Sequence, residues 1–300
     1  MSERHSTGVP GLDKQLGGGL LPGTMTVLVG SSGIGKTQFG IQYLNAGLQQ
    51  EKRRGFIFDM AARIDPQGHQ DYALRLCDWK LTAAEPERRI DYEHFFDTKN
   101  PQNLTGGQDY FRALSYRGQR VTKRDLDFDQ WNDWQAELSK HLDSAIAFCY
   151  RHFIAGTRRF LVDGIEPVQH QGESIQFELL EYVYHQIIRK EPDWVARDLF
   201  RQHYREYEPL IKKHLYRKED ISCVVNYTAA ESSLKSLMDK PMDEGDLFAG
   251  ANTIIYLGKI RSGTKFRRGM YVAKHRGSIC PDEVLFYDIN DSGLYLTDGQ

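Results

Sequence analysis

The chain has 300 residues, of which 40% are hydrophobic and 27% are charged, and its formal net charge is −2. This length suffices for one large α/β domain with insertions or for two modest domains. The sequence contains no run near the roughly 18 apolar residues that a membrane span needs, and its charge gives no global attraction to nucleic acid. The amino terminus leads into no apolar signal core, so we expect a cytoplasmic protein. The widely spaced Cys77, Cys149, Cys223 and Cys280 predict free thiols rather than a zinc site or disulfides.

The first sixty residues predict alternating loops, strands and a helix. Turn-forming residues dominate segment 7–23 and indicate a loop with a short helix. Residues 25–29 are short and apolar, as in a fully buried strand. A glycine loop follows, then a helical pattern from Lys36 to about Gln49 and a second buried strand at 55–58.

The middle of the chain is less regular. From about 63 to 129 the sequence is polar and interrupted by Pro and Gly, which predicts a long insertion with little core of its own. Helical periodicity returns at 131–154, and 159–163 predicts a third buried strand. Two helices are expected near 173–190 and 193–218, the second broken or kinked at Pro209.

Strands dominate the remainder. A fourth buried strand is predicted at 222–226, and further strands at 252–257, 267–274 and 284–289 are joined by turns that contain glycine. Alternating strands and helices followed by a strand-rich tail predict an α/β fold, with a mainly parallel central sheet extended by C-terminal antiparallel strands. The insertions would then cover about 63–130 and 170–220.

The glycine loop carries the clearest chemical signal. Gly30-Ser-Ser-Gly-Ile-Gly-Lys36-Thr37 matches G-x-x-x-x-G-K-[ST], the P-loop pattern, between a predicted strand and a predicted helix. Glycines let the backbone amides curl around phosphate oxygens, and the start of the helix attracts the same anion. Lys36 would neutralise the β- and γ-phosphates, and the Thr37 hydroxyl would ligate Mg²⁺. A flexible glycine turn is the plainer alternative, but the pattern in this context predicts ATP and Mg²⁺. The candidate nucleotide contacts are Gly30, Ser31, Ser32, Gly33, Ile34, Gly35, Lys36, Thr37 and Gln38.

A second metal-binding group is predicted at the end of the third strand. Asp163 follows Phe160-Leu-Val, so a hydrophobic strand ends in a carboxylate, as in the metal sites of P-loop enzymes. An Asp that only caps a turn is the alternative. The P-loop favours the metal role.

These motifs together resemble a known family. Thr7-Gly-Val-Pro-Gly-Leu-Asp13, Gly17-Gly-Gly-Leu20, Pro22-Gly23 and the P-loop resemble the opening of KaiC-like ATPases of the RecA superfamily. Lys274-His-Arg-Gly-Ser278 resembles the Lys-x-Arg-Gly-Ser segment of that family, and Phe286, Ile289 and Gly293 resemble its closing strand. The resemblance is clearest over about 6–60, weaker over 155–165 and 221–295, and absent from about 63–150.

The resemblance implies one RecA-type domain over residues 1–300 that assembles as a ring or filament with nucleotide at the subunit interfaces. It implies that Lys274 and Arg276 reach the γ-phosphate of the neighbouring subunit, whereas a solvated basic strand end is the plainer interpretation. Asn226, at the end of the fourth predicted strand, lies where related ATPases keep a γ-phosphate sensor. Its alternative role is to satisfy a turn.

One departure from the family puts hydrolysis in doubt. Family members usually place two glutamates just after the second strand, where this chain has Ala61 and Ala62. Alanine can neither accept a proton nor orient water, so the general base is missing or comes from elsewhere. Asp59 and Glu166 are the candidates, and each has a plainer interpretation as a surface or loop carboxylate.

Three functions remain open at this point. The first is an ATP-binding and ATP-hydrolysing protein that oligomerises and switches conformation with nucleotide. The second is a non-hydrolysing switch or scaffold, and the third is a paralogue of DNA recombinases or helicases. Segment 193–218 mixes basic and aromatic residues, which would suit nucleic acid or an unidentified protein partner. Interleaved acidic residues favour a salt-bridged, solvated helix instead.

Overall fold

A nine-stranded sheet forms the centre of the described chain. The computed structural model describes residues 3–61, 68–84, 90–96, 105, 107–114, 126–166, 175–239 and 249–297. The strands are β1 (Met25–Gly30), β2 (Phe56–Asp59), β3 (Tyr110–Arg112), β4 (Arg159–Ile165), β5 (Ser222–Thr228), β6 (Thr253–Ser262), β7 (Lys265–His275), β8 (Leu285–Asn290) and β9 (Gly293–Leu296). They lie in the order β3-β2-β4-β5-β1-β6-β7-β8-β9. Neighbours from β3 to β6 are parallel, and those from β6 to β9 are antiparallel. The predicted architecture is confirmed.

Helices cover both faces of this sheet. They are α1 (Leu12–Gln15), α2 (Lys36–Gln50), α3 (His69–Cys77), α4 (Phe128–Ile154), α5 (Ile175–Val183), α6 (Pro192–Phe200), α7 (Tyr204–Lys213) and α8 (Leu234–Asp239). Apolar residues of α1, α2 and α3 join one core, and those of α4 to α8 join the other. Successive residues of a strand enter opposite cores, as Val27 and Leu28 do, because side chains alternate across a pleated sheet. Within the described residues, no helix is both long and apolar enough to cross a bilayer.

The described parts of 63–130 contribute to the two cores of the main sheet. This stretch supplies α3 and the edge strand β3, which pairs in parallel with β2. Phe111 of β3 stacks on Phe58 with ring centroids 5.1 Å apart, and both rings are buried. A strand of three residues is too short to show a period, so only its tertiary pairing reveals it.

Of the predicted break or kink at Pro209, the break is wrong. Pro209 lies inside α7, whereas the chain turns at a short 3₁₀ segment, Arg201–His203, between α6 and α7. Arg201, at the end of α6, has a φ of 47° and a ψ of −119°, a backbone conformation that residues with a Cβ rarely adopt. Asp193–Arg197 and Glu208–Lys212 form ion pairs at 2.8 and 2.7 Å, in line with the salt-bridged alternative for this segment.

The amino-terminal motif serves the packing of the P-loop helix. The Asp13 carboxylate accepts hydrogen bonds from the Thr7 amide at 2.7 Å and the Thr7 hydroxyl at 2.6 Å, which folds Thr7–Asp13 into a compact loop. Gly8 lies so close to α2 that an added Cβ would be 2.3 Å from the Gln42 carbonyl oxygen. Gln42 in turn exchanges two hydrogen bonds with the Leu294 backbone, at 2.9 and 2.7 Å. The first and last segments of the chain therefore hold α2 in place.

Candidate functional site

The candidate site lies at the carboxyl edge of the parallel strands. The P-loop connects β1 to α2, and Asp163 lies near the end of β4. β5 separates these two strands in the sheet. Ligands of open α/β sheets bind beyond the carboxyl ends of the strands. The P-loop, Thr37 and Asp163 all lie at that edge.

The P-loop has the conformation that an anion cradle needs. Gly33 and Gly35 have φ values of 75° and 113°, a region that side chains with a Cβ rarely enter. A Cβ on Gly33 would meet nothing within 4 Å, so this glycine borders open space. A Cβ on Gly30 would lie 2.4 Å from the Leu257 carbonyl oxygen, so that glycine is required by packing. The loop and the start of α2 therefore fit a phosphate group.

Strand β8 packs against the P-loop. The Tyr287 hydroxyl of β8 donates a hydrogen bond to the Ile34 carbonyl at 2.8 Å. Ile289 packs so closely under Gly35 that an added Cβ would be 2.9 Å from its Cδ1 atom. The sequence marked Ile289 as part of a closing strand but gave no signal for Tyr287, because this contact joins residues 253 positions apart.

Lys36 is folded back onto its own loop. Its Nζ donates to the carbonyl oxygens of Gly30 at 2.7 Å and Ser31 at 2.9 Å, and the residue is only 7% exposed. Burial lowers the pKa of Lys36 to about 8, although the charge of Asp163 works in the opposite direction. The ammonium group is thus held beside the open space of the P-loop without a strong counter-charge of its own.

Thr37 and Asp163 meet as predicted for a metal site. The Thr37 Oγ1 donates to Asp163 Oδ2 at 2.7 Å. Burial alone would raise the pKa of Asp163, but hydrogen bonds from His69 and Thr37 and the charge of His69 outweigh it and lower this pKa to about 2. An ionised carboxylate beside a hydroxyl is a hard oxygen donor set, which suits Mg²⁺ shared with phosphates and water.

A histidine that the sequence did not reveal joins this pair. His69, the first residue of α3, places Nε2 2.9 Å from Asp163 Oδ2 and Nδ1 3.5 Å from Asp59 Oδ2. The Tyr110 hydroxyl of β3 donates to Asp59, and it lies 3.4 Å from His69 Nδ1. His69 therefore links the carboxylates at the ends of β2 and β4. Because its stretch of sequence lacks a clear pattern, no local signal could have identified it.

Asn226 lies deeper in the sheet than predicted. β5 continues two residues past it to Thr228, so Asn226 does not end the strand. The side chain is fully buried and contributes to the low pKa of Asp163. Neither its amide nitrogen nor its oxygen has a hydrogen bond of good geometry within the described residues. A buried orphan amide next to Asp163 is consistent with a polar group that serves a ligand.

Ala61 and Asp59, at and near the positions where the family has its two glutamates, are densely packed. Ala61 lies against Gly164, where an added Cβ would be 2.6 Å from the Ala61 Cβ. Ala62 lies outside the described residues. Asp59 is 1% exposed and accepts from the Ala61 amide at 2.9 Å and from Tyr110. It is therefore neither a surface carboxylate nor one that faces an open site.

Glu166 is half-buried just after β4. Its backbone amide donates to Gln176 Oε1 at 3.0 Å. The Gln176 amide nitrogen donates to the carbonyl oxygens of Met60 and Gly164, both at 2.8 Å, and so ties the ends of β2 and β4 together. Gln176 is a further residue that sequence reasoning missed.

Lys274 and Arg276 lie far from the P-loop of their own chain. Lys274 pairs with Ile254, which pairs with Val27, three residues before Gly30. Because β7 runs antiparallel to β1, its carboxyl end lies at the opposite edge of the sheet from the P-loop. Lys274 Nζ donates to the Ala249 carbonyl at 2.7 Å, and Arg276 Nη2 lies 3.5 Å from the same oxygen. The two cations therefore lie next to each other, and neither of them lies at the P-loop of its own chain.

The remaining predicted contacts follow the P-loop geometry. Ser32 and Gly33 are exposed, Ser31 is half-buried, and Gln38 is buried in the first turn of α2. The Gln38 Oε1 atom has no hydrogen-bond partner in the described part of the chain.

Comparison with known proteins gives the same family as the motifs. The model of the KaiC ATPase family matches residues 5–124. A segment of 119 residues is 30% identical to the circadian clock protein KaiC2 of Synechocystis and covers 39% of this chain and 20% of that protein. A segment of 55 residues is 42% identical to a UPF0273 protein of Methanopyrus kandleri, with 18% and 22% covered. The matches thus span about a fifth of the length of each curated relative.

The search of solved structures finds a KaiC-like protein of Pyrococcus horikoshii, with a TM-score of 0.49, 14% sequence identity and 98% of both chains covered. The matched residues 5–124 contain the P-loop, and the observed sheet has the parallel order with antiparallel extension described above. Residues 5–124 of this chain are therefore similar to the KaiC ATPase family.

Proposed function

We propose that this protein binds ATP with Mg²⁺, hydrolyses it, and assembles with copies of itself in a manner that depends on the bound nucleotide. The observation that carries nucleotide binding is the meeting of Thr37 and Asp163 at 2.7 Å beside a P-loop whose Gly33 borders open space. The likeness of residues 5–124 to the KaiC family supports the same function.

The chain supplies a distinct group for each part of the ligand. The amides of the P-loop and of the first turn of α2 would hold the phosphates, and Lys36 would exchange its bonds to Gly30 and Ser31 for phosphate oxygens. Mg²⁺, held by Thr37 and by Asp163, would neutralise charge on the β- and γ-phosphates. Asn226 would offer its side-chain amide, which has no hydrogen bond of good geometry among the described residues, to the same region.

For hydrolysis, Glu166 is a better candidate than Asp59 for the group that orients water. The Asp59 carboxylate already accepts from Ala61 and Tyr110 and is almost fully buried, whereas Glu166 is half-buried at the same strand edge. A single-turnover assay of phosphate release on the wild type, Lys36→Ala and Glu166→Gln tests both steps. Glu178→Gln, an exposed glutamate on α5, is the matched control.

We expect phosphate release by the wild type and the control, and a loss of at least about tenfold in Glu166→Gln with unchanged nucleotide affinity, since general acid–base groups contribute roughly 10²–10⁴-fold. The alternative is an ATP-dependent switch or scaffold without hydrolysis, which the alanine at position 61 favours. Wild-type release no faster than that of Lys36→Ala, together with nucleotide binding, would establish that alternative.

The position of Lys274 and Arg276 supports a role between subunits. They lie at the sheet edge opposite the P-loop, so they would reach a γ-phosphate only on a neighbouring molecule. We expect ATP and Mg²⁺ to increase the solution mass of the wild type. Mixing Lys36→Ala with a Lys274→Ala/Arg276→Ala variant should restore part of the activity that each lacks, because mixed assemblies contain some complete sites. A wild type that stays monomeric at all concentrations with ATP would refute this role.

A further inference from the structure

Asp163 has two hydrogen-bond partners at the same carboxylate oxygen. Asp163 Oδ2 accepts from Thr37 Oγ1 at 2.7 Å, and His69 Nε2 lies 2.9 Å from the same oxygen. A carboxylate oxygen has about two lone-pair positions, so these two partners fill the acceptor capacity of Oδ2. Asp163 Oδ1 already accepts the Gly164 amide at 2.8 Å. Oδ1 keeps one acceptor position, but Oδ2 is the oxygen beside Thr37, so a water on Mg²⁺ held by Thr37 would need the position on Oδ2 that His69 occupies.

The surroundings of His69 set the direction of its bond. Nδ1 faces the Asp59–Tyr110 pair at 3.5 and 3.4 Å, distances longer than a strong hydrogen bond. Nε2 is at hydrogen-bond distance from an ionised carboxylate, and a carboxylate can only accept, so Nε2 carries the proton and donates. His69 thus offers Asp163 the donor that a metal-bound water would otherwise provide.

We propose that His69 acts as a latch on the metal site: Mg²⁺ and nucleotide bind at the expense of the His69–Asp163 hydrogen bond and thereby release the start of α3. The proposal rests on the proposed nucleotide binding but not on hydrolysis. In this proposal His69 sets the Mg²⁺ requirement of the site. It does not itself touch the reacting phosphate.

His69 is the first residue of α3, so its hydrogen bond connects the metal site at Asp163 to this helix. The other end of α3 is anchored, because Arg54 Nη2 donates to the Cys77 carbonyl at 3.2 Å and the Trp79 indole donates to Asp109 at 2.6 Å. Loss of the bond to Asp163 would leave His69 with its longer contacts to Asp59 and Tyr110, so we expect the first turn of α3 to loosen while its last turn stays in place.

The test measures how much Mg²⁺ is needed to bind the fluorescent nucleotide mant-ADP. Variants are His69→Ala and His69→Leu, where Leu fills the space of the ring without a donor. We expect both to lower the Mg²⁺ concentration for half-maximal binding by about tenfold or more, the factor expected from losing a hydrogen bond to a charged group. Binding of mant-ADP without Mg²⁺ should change less than about twofold, because it depends on Lys36 and the P-loop amides.

Tyr110→Phe is the matched control, since it alters the bond to Asp59 and leaves the bond to Asp163 in place. It should keep the wild-type Mg²⁺ requirement. A second readout is hydrogen exchange of 69–77, which should speed up in the wild type when Mg²⁺ and ADP bind and be fast already in His69→Ala without ligand.

Three outcomes would overturn the latch. The first is an unchanged or raised Mg²⁺ requirement in both His69 variants, which would mean that His69 is neutral or supports the metal. The second is a Tyr110→Phe shift equal to that of His69→Ala, and the third is hydrogen exchange of 69–77 that does not respond to ligand. If the wild type binds mant-ADP no better than Lys36→Ala, the proposed nucleotide binding itself fails, a result separate from these three.

Discussion

We expect the buried ammonium of Lys36 to make nucleotide affinity depend on pH above about pH 8. Burial lowers the pKa of Lys36 from 10.5 to about 8, because the residue is 7% exposed and its bonds go to neutral carbonyl oxygens. Bound phosphates would bring negative charge next to this group and raise its pKa again. Binding therefore takes up a proton whenever the pH lies above the pKa of the free protein.

The sign and size of the effect follow from linkage. Below about pH 8 Lys36 is charged in both states, so affinity is at its full value. At pH 7.5 about three quarters of the free protein carries the charge, and at pH 9.5 only about 3% does, so the apparent affinity for ADP falls roughly 25-fold over this range. This corresponds to about 1.9 kcal/mol, and most of it develops above the lowered pKa.

The measurement is a fluorescence titration of mant-ADP with Mg²⁺ at several pH values from 7.5 to 9.5, with calorimetry in two buffers to count protons taken up at pH 8.5. Lys36→Met is the control, since it removes the titrating group, and its weaker affinity should not change over this range. Constant wild-type affinity with no proton uptake would refute the reasoning.

Two further substitutions test the framework around the site. Gly33→Ala forces a Cβ into a φ of 75° and should cost roughly 1–2 kcal/mol of unfolding free energy in urea titrations, with a loss of mant-ADP affinity because the methyl group enters the open space of the loop. Affinity and stability equal to the wild type would contradict that geometry. Arg159→Met removes a fully buried guanidinium that bonds to Glu51 at 2.8 Å and to the carbonyl oxygens of Ser6 and Tyr43. It should cost about 3–5 kcal/mol, read from the same titrations, since Glu51 is left buried without its partner. A loss below about 1 kcal/mol would show that Glu51 is hydrated instead.

Local patterns in the sequence were sufficient to predict a phosphate site. The P-loop is contiguous, and its glycines, lysine and threonine act through backbone geometry that the same eight residues specify. The buried strands 25–29 and 159–163 were recognisable from their apolar runs, since a parallel strand covered on both faces is hydrophobic throughout. Asp163 could be predicted because it directly follows such a run.

Tertiary structure decided everything that depends on distant residues meeting. Tyr287 supports Ile34, Gln42 joins Leu294, and His69 inserts between Asp59 and Asp163, each across a gap in sequence that no short period can encode. The break at Arg201 in place of Pro209 likewise depends on the packing of α6 and α7. The sequence by itself therefore predicted the class of ligand, through a contiguous motif. Only the folded chain revealed that Asp163 already has a histidine partner, because that contact depends on the pairing of strands and the docking of α3.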